Sequence, residues 1–386
     1  MADHALLSAS SSPRWLLCPP SAKLCAAHPS RGSPFAQQGT DAHSLAAYKV
    51  EKALGRKVRD PTPDLDYYDA EMADCTDAYT AFVMEQLAEA RKTCPDPIVL
   101  VEQKLDFSRW VPDGFGTGDC CIVSDDTIHV IDLKYGTGIL VDAQWNPQIM
   151  CYGLGLLEAY DGIYDVKQIR MSIFQPRRDN VSTFALTKAQ LLDWAEHTLA
   201  PVAQLAYNGE GEFCAGSHCQ FCTVKATCRK RAEYNLEMAR YDFQMPDTLT
   251  GNEIAAILPL IDQLVAWGND VKEYALEQAL AGRHYPGYKV VAGRSVSRYA
   301  NDAAVAKAVL EAGEDPWEKK LLGITAMRNM LGRKRFDELL GGMIIKPLGK
   351  PTLVPESDKR PAMDLATDDF KENKGEETNE HSCQSL

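Results

Sequence analysis

Asp132 and Lys134 stand two positions apart in "IHVIDLKYGTG", at the end of a run that has the composition of a buried strand. Side chains two apart on a strand point to the same side, so this carboxylate and this ammonium would face one cleft while Leu133 turns into the core. A carboxylate can bind a hard divalent cation, and a nearby ammonium can orient water. Alone, however, the D-x-K pattern is common and usually marks an ion pair at a strand end.

A second carboxylate, Asp119, lies in the preceding stretch "GFGTGDCCIV", whose glycines permit the backbone to approach a ligand closely. Hairpin pairing would bring Asp119 within reach of Asp132. Two adjacent carboxylates repel each other unless a cation lies between them, so the pair suggests Mg²⁺ or Mn²⁺. Glu102, in "VLVEQKLDF", begins the same meander and either supplies a further metal ligand or faces solvent.

Four short motifs, in this order along the chain, resemble the RecB-type branch of the PD-(D/E)XK nucleases. They are "GTDAH" with His43, "GTGD" with Asp119, "IDLK" with Asp132 and Lys134, and "QIMCY" with Gln148 and Tyr152. Asp stands at position 132, where the superfamily often has Glu. The run through "IDLKYG" and the late "GKPTLVPESDKRP" are similar to a phage and prophage family of RecB-like exonucleases, and that similarity spans residues 10–361.

The resemblance implies a role for each matching residue. His43, Asp119 and Asp132 would bind the cation together with the backbone carbonyl of Leu133, and the cation would activate water for attack on phosphorus. Lys134 would position that water or stabilise developing charge. Gln148 and Tyr152, one helical turn apart, would contact the DNA backbone or brace the site, which completes the predicted catalytic group of Asp119, Asp132, Lys134, Gln148 and Tyr152.

A second group of possible ligands is formed by Cys214, Cys219, Cys222 and Cys228, spaced C-x4-C-x2-C-x5-C. Four such thiols could hold Zn²⁺ as a knuckle. Alternatively, Cys219, Cys222 and Cys228 bind three corners of a [4Fe–4S] cluster and Cys18 supplies the fourth, with Cys25 as a weaker substitute for Cys18. The second arrangement resembles the iron–sulfur nucleases of the AddB type, and we favour it; Cys214 would then be a bystander.

Helices and strands alternate in a way that would place these residues around one sheet. Apolar spacing predicts helices over 39–54 and 69–92, and the next three segments have the composition of consecutive strands. A helix at "NPQIMCYGLGLLEAY", a strand at "VKQIRMSIFQPR" and a helix capped by Thr187 follow. The pattern predicts an α/β fold, an α+β mixed sheet flanked by helices; the resemblance implies a restriction-endonuclease-like PD-(D/E)XK core with a helical C-terminal extension.

The same pass along the chain predicts four segments. Residues 1–38 form an N-terminal segment with one cluster cysteine, and residues 39–234 form the nuclease core together with the cysteine-rich segment. Residues 235–361 form a mostly helical C-terminal domain, which includes a long helix from "GNEIAAI" to "ALAG". Residues 362–386 form an acidic tail that is too poor in apolar groups to fold.

Bulk properties exclude little. The net charge of −13 does not advertise a nucleic-acid partner, although local basic surfaces occur on acidic proteins. Arg177, Arg178, Arg294 and Arg298 are candidate phosphate contacts. Lacking a secretory signal or a run of about 18 apolar residues, the sequence favours the cytoplasm of a bacterial host.

We therefore expect a Mg²⁺- or Mn²⁺-dependent exonuclease acting at duplex DNA ends in phage recombination or repair. A single-strand annealing protein is the partner that the resemblance implies. The alternatives are an inactive nuclease fold that binds DNA, and a zinc-knuckle adaptor.

Overall fold

The five-stranded sheet that carries the predicted site lies in the first of two compact units, residues 1–296 and 297–386, into which the chain divides. The structure, a computed structural model, describes residues 5–29, 34–237, 250–292, 301–311, 317 and 323–344. Arg294 and Arg298, part of the "YKVVAGRSVSRYA" segment and the acidic tail lie outside the described residues.

The sheet has the strand order β1-β2-β3-β4-β5, with the first three strands forming an antiparallel meander. The third and fourth strands pair in parallel and the last pair is antiparallel. A parallel pair needs a crossover connection, and the helix of residues 147–160 provides it. The strands are β1 (Ile98–Asp106), β2 (Phe115–Val123), β3 (Thr127–Leu133), β4 (Gln168–Gln175) and β5 (Asn180–Thr187).

Helices surround this sheet, and the predicted mixed sheet with flanking helices is confirmed. In the first unit they are α1 (Ser12–Trp15), α2 (Ser21–Ala27), α3 (Pro34–Ala53), α4 (Ala70–Ala90), α5 (Pro147–Tyr160), α6 (Lys188–Trp194), α7 (Ala200–Asn208), α8 (Arg229–Leu236) and α9 (Gly251–Leu280). In the second unit the described helices are α10 (Asp302–Glu311), α11 (Ile324–Leu331) and α12 (Arg333–Leu340). The predicted segment boundaries at 38, 234 and 361 stay a prediction.

Two apolar layers enclose the sheet. Strand side chains such as Val130 and Met171 pack on α5 and on the helices that follow β5. The opposite side chains, among them Ile131 and Leu133, pack against α3 and α4. Alternation along a strand sends neighbouring residues to opposite faces, so β3 is buried on both sides and holds the acidic residue at its end rigidly.

The sequence of α5 explains why it is a core helix. Asn146 caps it by accepting a hydrogen bond from the Gln148 amide, and Pro147 occupies the first turn, where its missing N–H costs nothing. Its residues from Ile149 to Leu157 are all buried, as expected for a helix that is apolar on every side. Only its first turn carries polar side chains toward the end of the sheet.

Several elements differ from their predicted extents. The helix α3 begins at Pro34 rather than Gly39, and β5 was not predicted. Thr187 does form the predicted cap, in a capping box with Gln190. The single helix predicted after it is interrupted by a π-helical turn at Ala195–Leu199.

The long predicted helix is confirmed as α9, which begins with a Thr250–Glu253 capping box. None of its residues is buried. Ion pairs join it to the cysteine-rich segment and to α8, because Asp270 pairs with Lys225 and with Arg231. By length and composition alone α9 could cross a membrane, since an 18-residue window has a mean hydropathy of 1.2.

Candidate metal centre and cysteine cavity

The register of β2 against β3 sets the two predicted aspartates side by side. Cys120 pairs with Ile131, and the next step of the same register sets Asp119 opposite Asp132. The main-chain N–H of Leu133 donates to Asp119 Oδ2 over 2.7 Å. The hairpin therefore fixes one carboxylate by a backbone hydrogen bond at the point where the strands end.

His43 reaches this carboxylate from α3. Its Nδ1 atom lies 3.0 Å from Asp119 Oδ1. Burial is the largest single effect on His43 and acts to lower its pKa, but the charge of Asp119, its hydrogen bond and the charge of Asp132 together raise the pKa to about 9. Burial likewise acts to raise the pKa of Asp119, yet His43 and Lys134 hold it below its usual range. The two side chains thus stabilise each other as an ion pair.

Asp132 and Lys134 lie on one side of the chain end, as predicted, with Leu133 in the core between them. Lys134 Nζ is 2.8 Å from Asp132 Oδ2, and the carboxylate is 2% exposed. Burial raises the pKa of Asp132 and Asp119 adds to the effect, against the pull of Lys134. For Lys134, burial acts to lower the pKa but the two aspartates raise it, so the ammonium stays charged.

Gln148 joins these groups from the first turn of α5. Its Oε1 accepts from Lys134 Nζ over 3.0 Å, and its Nε2 donates to Asp132 Oδ1 over 3.1 Å. The same amide nitrogen lies 3.2 Å from the Tyr152 hydroxyl one turn later. Tyr152 is only 4% exposed. Of its two predicted roles, bracing the site therefore agrees with its position, whereas direct contact with DNA does not.

Glu102 lies across β2 from this network in a left-handed backbone conformation, with φ 48°. The ladder between β1 and β2 skips this residue, pairing Val101 with Cys120 and Gln103 with Gly118. A non-glycine residue held there costs about 1–3 kcal/mol, and such strain concentrates at functional sites. Glu102 is an exposed residue. Partial burial of its carboxyl group and then the charge of Asp119 nevertheless raise its pKa to about 7.

The ligand atoms of His43, Glu102 and Asp119 all lie within 4.8 Å of one another. These three residues border one small cavity together with Leu133, the residue whose carbonyl was predicted to bind metal. The two carboxylates suit Mg²⁺ or Mn²⁺. Asp132 is directed instead toward Lys134 and Gln148, but its buried Oδ2 receives no well-directed hydrogen bond from the described residues. Such a carboxylate oxygen fits a site for a cation.

Two of the predicted phosphate contacts follow β4, whose end lies beside that of β3 because these strands are parallel. The guanidinium of Arg177 makes two hydrogen bonds to Glu71 and lies over the ring of Tyr135. Arg178 donates to the carbonyl of Thr137 over 3.2 Å and is exposed. Arg178 is therefore the more accessible cation at this end of the sheet.

A separate cavity gathers the predicted cysteines. It is lined by all five thiols of the two alternatives, Cys18, Cys214, Cys219, Cys222 and Cys228. A tetrahedral zinc site with Zn–S near 2.3 Å needs thiolates about 3.8 Å apart. Among the described residues, no three thiols lie within 4.8 Å of one another. The spacing is therefore wider than a compact four-thiolate zinc site.

Cys25 takes part more directly than the sequence indicated. Its Sγ lies 3.6 Å from Cys222 Sγ, and Arg14 Nη1 donates to it over 3.0 Å. The hydrogen bond with Cys222, supported by Thr223 and Arg14, lowers the pKa of Cys25 to about 5 despite burial. The same contact raises the pKa of Cys222. Sequence spacing could not reveal this pair, because the two residues are 197 positions apart.

Comparison with known proteins gives a family and several structural matches. A family model described as "Protein of unknown function (DUF2800)" matches residues 4–361. A crystal structure described as that of SSO0001 is similar at 12% sequence identity, with 48% of this chain and 95% of that chain covered. Its TM-score is 0.21, which supports no statement about the fold.

Proposed function

The chain belongs to the DUF2800 family, and we propose that it is a divalent-metal-dependent deoxyribonuclease. It would be an exonuclease that hydrolyses phosphodiester bonds at duplex DNA ends, in phage recombination or repair in a bacterial cytoplasm. The proposal includes a PD-(D/E)XK arrangement of the core. The observation that carries it is the meeting of Asp119, Asp132 and Lys134 at the end of two paired strands, with Lys134 Nζ 2.8 Å from Asp132.

The cation would be held by Glu102, Asp119 and Asp132, with the carbonyl of Leu133 beside them, and by His43 after its imidazolium loses a proton, because metal binding releases protons from its ligands. When bound, Mg²⁺ or Mn²⁺ lowers the pKa of water and offsets negative charge on the phosphate. The strand register holds Asp119 and Asp132 in place before any ligand arrives. This preorganisation matters because a site that must rearrange during the reaction loses part of its electrostatic stabilisation.

Lys134 is the group best placed to act on the reacting phosphate or its attacking water. Its side chain is 28% exposed, so the ammonium can meet solvent and substrate while Asp132 keeps it charged. Gln148 is a positioning residue, because its amide holds both the ammonium and the carboxylate. Tyr152 supports Gln148 from the buried side.

We further propose that the cysteine cavity holds a [4Fe–4S] cluster through Cys18, Cys219, Cys222 and Cys228. The support for this proposal is that one cavity is lined by Cys18 and by the three later thiols. Cys18 comes from the segment between α1 and α2 and the other three lie within residues 217–228, so the ligand would join the chain's first segment to the end of the core. Its role would be structural rather than catalytic. The alternative is Zn²⁺ held by Cys214, Cys219, Cys222 and Cys228.

Degradation of linear and circular duplex DNA tests the activity, with Mg²⁺, Mn²⁺ or EDTA in parallel reactions. We expect the wild-type protein to degrade the linear substrate only when a cation is present. Asp132→Asn, Asp119→Ala and Lys134→Met should each lower the rate by about 10³-fold, since each removes a charge that faces the reacting group.

Asp165→Asn is the matched control, because it removes a carboxylate whose side chain is 86% exposed. It should leave the rate unchanged. Melting temperatures of all variants exclude loss through unfolding. Wild-type rates in Asp132→Asn and Lys134→Met together would overturn the proposed mechanism.

The second candidate is a binding protein without hydrolytic activity, either an inactive nuclease fold or a zinc-knuckle adaptor. The first version predicts DNA binding with no hydrolysis under any cation. The adaptor version predicts a colourless protein with one zinc per chain. A brown protein that absorbs at about 400 nm contradicts the adaptor version. A single-strand annealing protein is the partner we propose for the active enzyme.

A further inference from the structure

The loop between β3 and α5, residues 136–146, presents apolar side chains to solvent beside the metal centre. The exposed fractions are 44% for Ile139, 54% for Leu140 and 48% for Trp145. Large exposed apolar groups that cluster next to a polar site often mark a contact surface. We refer to Ile139, Leu140 and Trp145 as the apolar ledge.

Polar side chains on β4 and β5 hold the backbone of this loop. Gln175 accepts from the Val141 N–H over 2.8 Å and donates to the Ile139 carbonyl over 2.9 Å. Asn180 donates to the Val141 carbonyl. Ser182 accepts from the Ala143 N–H over 3.0 Å. A loop fixed by this many hydrogen bonds presents its side chains in one arrangement, so a ligand need not order them.

Trp145 is the most specific feature of the ledge. Its backbone is left-handed, with φ 51°, a conformation that a bulky aromatic residue rarely adopts. The ring packs at 5.8 Å and 50° against Phe184 on β5, which supports it without covering it. Because about half of its surface remains exposed, Trp145 adds less to the core than a buried aromatic would. It is available to stack on a planar ligand.

Trp145 lies close in the chain to the metal centre. Trp145 precedes Gln148 by three residues, so their Cα atoms lie no more than about 11 Å apart. Arg178 donates to the Thr137 carbonyl of the same loop, and within the described residues it has no carboxylate partner. One loop thus carries an exposed aromatic ring and holds an arginine, and an aromatic ring together with a cation is the combination that binds single-stranded nucleic acid, through base stacking and phosphate contact.

We propose that Trp145 stacks on an unpaired base of the DNA strand at the metal centre, so that the substrate is a frayed or single-stranded end. This inference rests on the proposed nuclease function and specifies its substrate. Arg178 contacts a phosphate of the same strand. A fully paired blunt end presents no free base face to Trp145 and binds more weakly than an end with an overhang.

Fluorescence anisotropy with labelled dT12 and a blunt 20-base-pair duplex tests the proposal, with Ca²⁺ replacing Mg²⁺ so that binding is measured apart from hydrolysis. Trp145→Ala should weaken dT12 binding by about 10- to 100-fold. Trp145→Phe keeps an aromatic face and should retain affinity within about fivefold. Binding of the blunt duplex should change less than threefold, by the same reasoning.

Ile163→Ala is the matched control, since Ile163 is 74% exposed and follows the opposite end of α5. It should not affect binding. Equal dT12 affinity in wild type and Trp145→Ala overturns the proposal and makes the ledge a contact for something other than DNA. Equal losses in Trp145→Ala and Ile163→Ala overturn it too. If Trp145→Ala does not fold, dT12 affinity is compared among wild type, Trp145→Phe and Trp145→Leu. A loss in Trp145→Leu but not in Trp145→Phe supports stacking, and equal affinity in all three overturns it.

Hydrolysis of dT12, of the blunt duplex and of the same duplex with a single-stranded overhang, with Mg²⁺ or Mn²⁺, separates the two proposals. Trp145-dependent dT12 binding without hydrolysis of any of the three substrates contradicts the nuclease function and leaves stacking intact. Hydrolysis that is equal in wild type and Trp145→Ala, on both overhanging and blunt ends, contradicts stacking and leaves the nuclease function intact.

Discussion

The acidic centre and the cysteine cavity assemble their side chains in different ways. In the acidic centre, Asp119 and Asp132 come from neighbouring strands, and hydrogen bonds of the sheet already set them opposite each other. In the cysteine cavity, Cys18 and Cys25 come from the start of the chain and meet thiols about 200 residues later. The described contacts across the seam between these two segments include the Cys25–Cys222 pair and the hydrogen bond from Arg14 to the Phe221 carbonyl.

This difference teaches which ligand the fold needs. A sheet buried on both faces positions the acidic residues by itself, so a cation there would supply chemistry and little folding energy. The seam between two distant segments gains stability from whatever its thiols bind, because binding energy at a site made only in the folded state is folding energy. We therefore expect removal of the two ligands to have opposite consequences for activity and for stability.

The largest expected effect on stability comes from removing a thiol of the cysteine cavity. Cys18→Ser should lower the free energy of unfolding by about 3 kcal/mol or more, as loss of a structural metal does, and the melting temperature by about 6–12 °C. Cys214→Ser should have little effect on either if the ligand is a [4Fe–4S] cluster. Thermal melts, iron and zinc content, and absorbance at about 400 nm measure the outcome.

Cys75→Ser serves as the control, since Cys75 packs beside a different apolar cluster. The reverse result, with a stable, colourless Cys18→Ser and an unstable Cys214→Ser that loses zinc, would establish the zinc alternative. Equal stability of all three variants, each without bound metal, would remove the stapling role altogether.

A smaller effect sharpens the comparison by examining the sheet under the acidic centre. His129 on β3 is buried with its Nε2 2.8 Å from Ser172 Oγ, and burial, then Arg170, lower its pKa to about 3. Because this value is below that of the unfolded chain, the unfolded state binds more protons as the pH falls. The contribution of His129 to the free energy of unfolding is fully present above about pH 6.5 and should fall by about 1.4 kcal/mol per pH unit toward pH 3.

Urea unfolding at a series of pH values measures that slope. His129→Gln should flatten it by about one proton, whereas His197→Gln, at a side chain 72% exposed, should not. An unchanged slope in His129→Gln would show that the acid sensitivity arises elsewhere.

The smallest expected effect concerns the arginines that border the acidic centre. Arg178→Ala should weaken DNA binding slightly and lower the slope of log affinity against log salt by about one contact. Arg177→Ala should do less, because Glu71 already holds that guanidinium. Glu71→Gln should free Arg177 and strengthen binding. Stability of each variant should change by no more than about 1 kcal/mol, as for most surface ion pairs.

Anisotropy titrations between low and high salt measure these differences. If Arg177→Ala weakens binding more than Arg178→Ala, the Glu71 pair does not restrain Arg177 in solution. The order of the two arginines, rather than the size of either effect, is the decisive result.

The acidic centre could be predicted further than the rest because strand alternation and hairpin pairing relate Asp119, Asp132 and Lys134 by simple geometry. The strand β5 could not, because the covered face of its first half is polar and only Phe184 and Leu186 make the second half apolar. Asn180 and Ser182 lie on its covered face, where they bind the loop before α5, while Val181 is 51% exposed. A search for apolar residues on one face therefore misses it.

Two further features depend on contacts that no local pattern encodes. The left-handed conformation of Glu102 interrupts a strand whose composition is otherwise regular. The approach of Cys25 to Cys222 depends on how the first segment packs against the chain after α7. Glu102 and Cys25 could be predicted only as weaker candidates, because their residue types suit a ligand but the sequence does not reveal their positions in three dimensions.

The hydrogen bond from Leu133 to Asp119 is made by the main chain. Any amino acid at position 133 except proline, which lacks the N–H, would preserve it. The anchoring of this carboxylate is therefore insensitive to the side chain at that position. Related sequences can vary there for packing alone, and proline is the one residue that they should never carry.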